Sequence, residues 1–325
     1  MIAWQPTASL AQLRLRAQML ATIRQFFAAR GVLEVETPLL AHTTTTEPGL
    51  TFFATEFIFS HQPESLFLQT SPEFAMKRLL AAGSGSIYQI CKAFRNSESG
   101  RFHNPEFTML EWYRIGFDLT KLIEEVCELL QLLLATTDYV KTIEMVDYVS
   151  LFQQITALDP LNFCLTEYRK YARDHDLSEA IELCEEDQLQ WLDFIFSHQI
   201  QPHLGQQHIC IVRDYPAIFP SLARLKPTNP LLTERFEIFI QGLELGNGFF
   251  ELTDAKQQRR RFEQDLQQRQ QKQLPTVKID EYLLAALTVG LPECSGIAIG
   301  LDRLLMVLSN CSHIDEILSF PLQRA

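Results

Sequence analysis

The chain has 325 residues, with 28 Lys and Arg against 40 Asp and Glu, for a formal net charge of −12. That acidic balance argues against a protein that grips nucleic acid by broad phosphate neutralisation, although it leaves room for a local basic patch. No apolar run approaches the roughly 20 residues of a membrane span. The N-terminus lacks the basic and apolar regions of a signal peptide, and the seven widely spaced Cys include no C-x-x-C pair, so the expectation is a cytoplasmic protein with reduced thiols and no membrane partner.

In chain order, Ser9 is the expected N-cap of a first helix that stops before Gly31. Its apolar positions Leu10, Leu13, Ala17, Leu20, Ile23 and Phe27 recur at three- and four-residue steps. Residues 31–38 alternate briefly as a strand ending at Pro38, and 43–46 read as a polar loop. The pattern then predicts a strand at 66–69, a helix at 72–82, a strand at 87–94, a polar loop, and a strand at 106–114. Residues 119–135 and most of 150–200 have a helical, acidic, Gly-poor pattern. This suggests a helical insertion around 140–205 within one domain spanning 1–325. His203 and His208, in a Gln-rich stretch, read as solvated imidazoles rather than metal ligands. Strands follow at 208–213 and 235–245, helices at 254–272 and 280–289, a small-residue strand at 295–301, and a last helix. Sequential strands joined by short loops, with helices grouped between them, predict an α+β protein with an antiparallel sheet.

Three stretches carry chemistry. The first runs Phe94-Arg95-Asn96-Ser97-Glu98, then His103-Asn104-Pro105-Glu106-Phe107-Thr108-Met109-Leu110-Glu111. Arg95, Arg101 and His103 on its loop can face phosphate oxygens, or simply be a solvated charged hairpin. The second carries Glu237, Glu244, Asn247 and Glu251 among aromatic and aliphatic residues. Such groups suit either a hard cation or an ammonium group. The third, Gly296-Ile297-Ala298-Ile299-Gly300-Leu301-Asp302-Arg303, allows close approach of a ligand to the backbone, or tight strand–helix packing.

Together, and in this order, the three closely resemble the class II aminoacyl-tRNA synthetase catalytic domain, whose antiparallel sheet is flanked by helices. Residues 31–38 resemble its first motif, 94–111 its second and 296–303 its third. The match is closest to the lysine branch, through Thr70-Ser71-Pro72-Glu73, His103 to Glu111, and Glu244-Leu245-Gly246-Asn247-Gly248-Phe249-Phe250-Glu251-Leu252-Thr253-Asp254. Lysyl-tRNA synthetases carry an N-terminal OB-fold that grips the anticodon. Here the catalytic pattern begins almost at Met1, and no OB-fold is expected. In this the chain is similar to the elongation factor P–(R)-β-lysine ligases.

The resemblance implies an ATP-dependent, AMP-forming ligase that adenylates (R)-β-lysine or lysine. It then passes the acyl group to a lysine ε-amine of elongation factor P, with Mg²⁺ as cofactor. Arg95 and Arg303 are the implied catalytic residues. Arg95 clamps the α-phosphate and carboxylate, His103 meets the γ-phosphate, and Phe107 and Arg303 sandwich adenine. The Asn104 backbone reads the adenine edge, and Gly300 gives the nucleotide room. Asn96, Ser97, Glu244 and Leu245 complete the ATP contacts, while Glu237 and Glu244 hold the metal. Tyr113 and Glu251 receive the distal ammonium and Glu73 the other amine, with Ser71, Pro72, Asn247 and Ala298 also lining the substrate. Lysyl-tRNA synthetases typically have Ala-Pro-Glu and Gly-Ile-Gly where this chain has Ser71-Pro72-Glu73 and Ala298-Ile299-Gly300. The branch also has a glutamate at the place of Ser97, so that role falls to Glu98 or lapses. A homodimer and no use of tRNA are expected. The alternatives are a truncated lysyl-tRNA synthetase that charges tRNA and a non-catalytic amino-acid sensor.

Overall fold

The computed structural model describes residues 4–59, 62–137, 139, 142–219 and 222–325. They fall into two compact units, Met1–Leu129 with Glu251–Ala325, and Leu130–Phe250.

The first unit opens with α1 (Leu10–Ala28), which starts where the sequence predicts. The Gln12 N–H donates to Ser9 Oγ and the Ser9 N–H donates to Gln12 Oε1, a reciprocal cap. Its inner face buries Met19, Ile23, Phe26 and Phe27. Gly31 then takes a left-handed φ of 64°, which ends the helix at little steric cost. The strand expected over 31–38 contracts to β1 (Leu33–Glu34). A three-stranded antiparallel sheet follows, built from β2 (Leu40–Ala41), β3 (Ala54–Phe59) and β4 (Gln62–Leu68) in the order β2-β4-β3. Next come α2 (Glu73–Ala81), β5 (Ile87–Phe94), β6 (Glu106–Ile115) and α3 (Leu119–Leu133). β5 and β6 pair antiparallel from Ile87↔Tyr113 to Phe94↔Glu106. Phe27 stacks on Tyr88 with ring centroids 4.4 Å apart and meets Trp112 edge-on at 5.3 Å, fixing α1 to both strands.

The second unit contains β7 (Ile143–Asp147), α4 (Tyr148–Thr156), α5 (Leu165–Asp174), α6 (Ala180–Leu183) and α7 (Gln188–Ile195), the last continuing as a π turn over Phe196–Ile200. Strands β8 (Ile209–Arg213), β9 (Leu225–Lys226), β10 (Asn229–Thr233), β11 (Arg235–Ile240) and β12 (Leu243–Phe250) complete it. The helical block predicted around 140–205 is helical from Tyr148 but is preceded by β7; residues 140 and 141 lie outside the described residues. The core is aromatic: Tyr148 stacks on Phe196 at 5.1 Å and tilts against Tyr215 at 4.8 Å, among Phe152, Tyr168, Trp191 and Phe239. The single strand expected over 235–245 is a hairpin. Gln241 and Gly242 take φ values of 54° and 71°, the two left-handed positions a two-residue hairpin turn needs.

Returning to the first unit, α8 (Ala255–Gln271) and α9 (Glu281–Gly290) are N-capped by Asp254 and Asp280. β13 (Cys294–Gly300) pairs antiparallel with β6, and α10 (Leu301–Ser309) follows without a break. The first unit's large sheet thus runs β1-β5-β6-β13, and the second unit's runs β12-β11-β8-β7. The α+β class is as expected, and most neighbours are antiparallel. Two pairs, β1 with β5 and β7 with β8, are parallel, so the pairing is mixed. At the start of α10, buried Asp302 accepts from the Thr108 N–H at 2.6 Å and from the Arg16 guanidinium, joining α10 to β6 and α1. Among the described residues no helix is long and apolar enough to cross a membrane.

Candidate active site

The loop between β5 and β6 is shaped by its backbone. The Arg95 N–H donates to Pro105 O at 2.9 Å and the Asn96 N–H to Thr51 O at 2.8 Å. Ser97 has a left-handed φ of 65°, and its N–H donates to Asn96 Oδ1 at 2.8 Å. After this turn Glu98, not Ser97, faces Arg95, with Oε1 3.8 Å from Nη1. The Arg95 guanidinium lies 5.2 Å from the Phe107 ring centroid, and its Nε is buried with no hydrogen-bond partner. A buried donor left unsatisfied is costly, and an anionic oxygen would satisfy it. Arg303, in the first turn of α10, donates to His103 Nε2 and, at 3.4 Å, to Phe102 O. Asn104 is spent on structure: Nδ2 donates to Glu106 O at 2.6 Å, and Oδ1 accepts from the Leu322 N–H at 3.2 Å. Arg95, Phe107, His103 and Arg303 thus form two contacting pairs, a cationic patch on an acidic chain.

A second group lies where α2, β6, β13 and Glu251 meet. The two-residue period of a strand puts Glu111 and Tyr113 on one face of β6, and the Tyr113 hydroxyl donates to Glu111 Oε1 at 2.6 Å. Lys77 stands one helical turn after Glu73 on α2 and is 2% exposed. Its Nζ donates to Glu73 Oε1 at 2.6 Å and lies 2.6 Å from Glu251 Oε2, an ion pair rather than an aligned hydrogen bond. On β13, Gly296 is directly opposite Tyr113 and Ala298 opposite Glu111. A Cβ on Gly296 would come within 2.4 Å of the Tyr113 ring and 2.8 Å of Glu251 Oε1, so only glycine fits there without displacing them. The Ser71 hydroxyl accepts from the Glu73 N–H at 3.3 Å, steadying the start of α2 just after Pro72.

This second group holds three carboxylates and one ammonium. Burial, then the Glu73 charge, pushes Glu111 up to about 8, against the Tyr113 hydrogen bond. Burial likewise raises Glu251 to about 7, with Lys77 pulling the other way. For Lys77 burial favours the neutral amine, but Glu251 and Glu73 more than offset it and hold the ammonium above its usual range.

The second unit contains Glu237, Glu244, Leu245 and Asn247, all on β11 or β12. Glu237 is buried; Oε1 accepts from Arg235, and Oε2 from the Tyr215 hydroxyl at 2.6 Å. Burial raises it to about 7, Arg235 works against that, and the Glu244 charge adds to it. Asp193 on α7 is raised as well, by burial and, more weakly, by Glu244. Asn247 is opposite Glu237 across the hairpin, its Oδ1 buried without a hydrogen-bond partner. Carboxylate and amide oxygens are the donor type a hard divalent cation takes, although Arg235 and Tyr215 engage both oxygens of Glu237 here. Elsewhere in this unit Glu144, His208 and Cys210 bring ligand-type atoms within 4.8 Å of one another, but His208 and Glu144 already bond each other at 2.6 Å.

Sequence reasoning named the arginines and the outer carboxylates but missed Lys77, Glu111, Arg235, Tyr215 and Asp193. Three of these had a local signal. Lys77 is four residues after Glu73 on a helix, Glu111 two before Tyr113 on a strand, and Arg235 two before Glu237.

Comparison with known proteins is consistent along the whole chain. Residues 2–324 match the family described as tRNA synthetases class II (D, K and N). The chain is 48% identical to the elongation factor P–(R)-β-lysine ligase of Haemophilus ducreyi over 328 residues, covering 100% of this chain and 98% of that protein. It is 49% identical to the Vibrio vulnificus protein of the same name over 320 residues, covering 98% of each. Identity to the one from Haemophilus influenzae (strain PittGG) is 47% over 324 residues, covering 99% of this chain and 98% of that protein.

Proposed function

The chain belongs to the class II tRNA synthetase (D, K and N) family, and we propose that it is the ligase that adenylates (R)-β-lysine and joins it to a specific lysine ε-amine of elongation factor P. One observation carries the substrate class: the buried group in which Glu73, Glu111 and Glu251 outnumber Lys77. A site with that excess of carboxylates favours an amino acid bearing two ammonium groups, because a neutral analogue would leave buried charge unpaired.

In the first step a carboxylate oxygen of the amino acid attacks the α-phosphorus of ATP; the bond to the β-phosphate oxygen breaks and pyrophosphate leaves. In the second, the ε-amine attacks the acyl carbon, AMP leaves, and an amide forms with loss of a proton. No protein nucleophile is required, so the residues act by positioning and by balancing charge. Arg95 neutralises the charge that grows on the α-phosphate, and its buried, unsatisfied Nε supports that role. Phe107 and Arg303 hold adenine, the Asn104 backbone reads its edge, and His103 meets the γ-phosphate. The resting pairs Arg95–Phe107 and Arg303–His103 open to admit the nucleotide. Tyr113 and Glu251 take the distal ammonium and Glu73 the near amine. Glu237 and Glu244 would hold Mg²⁺, which would offset phosphate charge.

We further propose a cytoplasmic homodimer that does not charge tRNA. Leu33, Leu39 and Leu40, just after α1, are exposed apolar residues of the kind a subunit interface covers. Sedimentation as a 37.4 kDa monomer at micromolar concentration would count against the dimer.

The decisive experiment combines the protein with Mg·ATP, each lysine isomer, elongation factor P and tRNA, and weighs the products. A mass increase of one β-lysyl residue on elongation factor P alone is expected; acylated tRNA would instead favour a lysyl-tRNA synthetase. Arg95→Ala should lower amino-acid-dependent pyrophosphate exchange by roughly a hundred- to a thousandfold with the fold intact. Near-normal exchange would remove Arg95 from the site.

A further inference from the structure

Lys77 is absent from the roles above, yet it is the most deeply buried cation of the substrate group. Its ammonium occupies one oxygen of Glu73 and one of Glu251, both at 2.6 Å. Glu251 Oε1 is left on the side where Gly296 has no side chain, beside the Tyr113 ring. A cation fixed in this way orients two carboxylates at once and leaves each with an oxygen to offer. We infer that Lys77 is a positioning residue for substrate selection, a built-in ammonium that balances the charge of Glu251 and aims Glu73 and Glu251 so that each receives one amine of a diamino acid.

The surroundings bear this out. Glu111 and Glu251 are buried beside half-buried Glu73, and burial together with the neighbouring charge raises both, so without an internal cation Glu251 takes up its proton more readily. A protonated carboxyl binds an ammonium poorly. The charged and titratable neighbours are few. On α2 they are Glu73 and Lys77, on β6 Glu111 and Tyr113, and after β12 Glu251. Cys91 on β5 and Cys294 on β13 are thiols that burial pushes up, and they stay neutral through the pH range where the carboxyls titrate. Packed against α2, α9 brings Glu281 and Tyr282, which engage Arg259 and Arg78 instead. Among the described residues, Lys77 is therefore the cation that faces these carboxylates. Glu251, at about 7, already titrates near neutrality with Lys77 in place, and removing Lys77 moves that titration higher.

This inference rests on the diamino-acid reading above, and its test separates the two. The KM for (R)-β-lysine and for ATP is measured by pyrophosphate exchange from pH 6 to pH 9.5 in the unmodified protein, Lys77→Met and Lys77→Arg. In the unmodified protein, KM for the diamino acid should fall as pH rises through about 7. In Lys77→Met that fall should move up by about one pH unit or more, so that KM at pH 7 rises roughly tenfold while KM for ATP stays put. Lys77→Arg, which keeps the charge, should retain the original pH midpoint. A folded Lys77→Met with an unshifted profile overturns the inference, because a merely structural lysine would change stability without moving the midpoint. Should Lys77→Met not fold, lysine Nζ-detected NMR of the unmodified protein decides: Lys77 should stay protonated through pH 9.5 with and without (R)-β-lysine, and a titration below that pH overturns the inference. If the unmodified protein activates no diamino acid, the proposed function fails first, and the NMR result still judges Lys77.

Discussion

Two buried charge clusters invite comparison, one in each unit. In the first, Glu73, Glu111 and Glu251 surround the compact ammonium of buried Lys77. In the second, Asp193, Glu237 and Glu244 interact with the planar cation Arg235. Each sets several carboxylates beside an internal cation, and in each burial pushes carboxyl groups up toward neutrality. They differ in how the internal cation is used. Lys77 spreads over two carboxylates and leaves each an oxygen, whereas Arg235 and Tyr215 take both oxygens of Glu237. The first arrangement suits two separate, directional ammonium groups. The second, with one carboxylate held rigid and Glu244 beside it, suits a single compact divalent ion. On the proposed function, similar groups of carboxylates would thus serve different ligands because the internal cations have different shapes.

Breaking one cluster should spare the other. Glu251→Gln should cost the most: losing one member of a buried ion pair is worth about 3–5 kcal/mol, roughly a hundredfold or more in kcat/KM for the diamino acid. The Mg²⁺ dependence of exchange should not change, and a shared loss would undo the comparison. Glu237→Gln should do the reverse, raising the Mg²⁺ needed for half-maximal exchange about ten- to a hundredfold with little effect on KM for the amino acid. A finer test concerns the walls of the first cluster. Ala298, opposite Glu111, and Ser71, at the start of α2, differ from the usual lysyl-tRNA synthetase residues. One methyl in a pocket is worth about 1–3 kcal/mol, so Ala298→Gly with Ser71→Ala should narrow the preference for (R)-β-lysine over lysine about tenfold. Equal use of both isomers by the unmodified protein would remove the reason for that test.

The smallest effect is on stability. Glu111 binds its proton more tightly folded than unfolded, so its contribution is fully present below about 4.5 and is lost as pH rises through about 8. Melting temperature should therefore decline by a few degrees across that window, and (R)-β-lysine should restore more of it at pH 8.5 than at pH 6. Glu111→Gln should flatten the decline; an unchanged slope would mean that other groups set it.

Legibility in the sequence followed the range of the interactions. β5 runs over the residues predicted, and β6 and β13 fall within one residue of the expected ends, because their pairing and burial repeat along a local pattern. The hairpin at Gln241 and Gly242 reads in sequence as one strand, since Phe236, Ile238 and Ile240 alternate up to it and a Gln at a left-handed position is a weak turn signal. β7 leaves no signal in the sequence pattern: it is short, half-exposed, and paired in parallel with β8, which lies beyond four helices in the chain. At the candidate site the motifs nominate residues one by one, yet the contact of Lys77 with Glu251 joins segments far apart, and no spacing rule reports such a meeting. Asp302 is similar. Its place before Arg303 was visible, but its hold on Arg16 and on the Thr108 N–H was not.

Lys77 also bears on a hazard of the proposed reaction. An acyl adenylate reacts with any neutral primary amine within reach, and here a lysine side chain sits among the groups proposed to receive the substrate. Nucleophilicity resides in the nitrogen lone pair, which protonation removes. Because Glu251 and Glu73 hold Lys77 protonated beyond its ordinary range, almost none of its nitrogen is free to attack. The two carboxylates that would bind the substrate thereby also protect the catalyst from acylating itself, and the activated acyl group is left for an amine that arrives from outside.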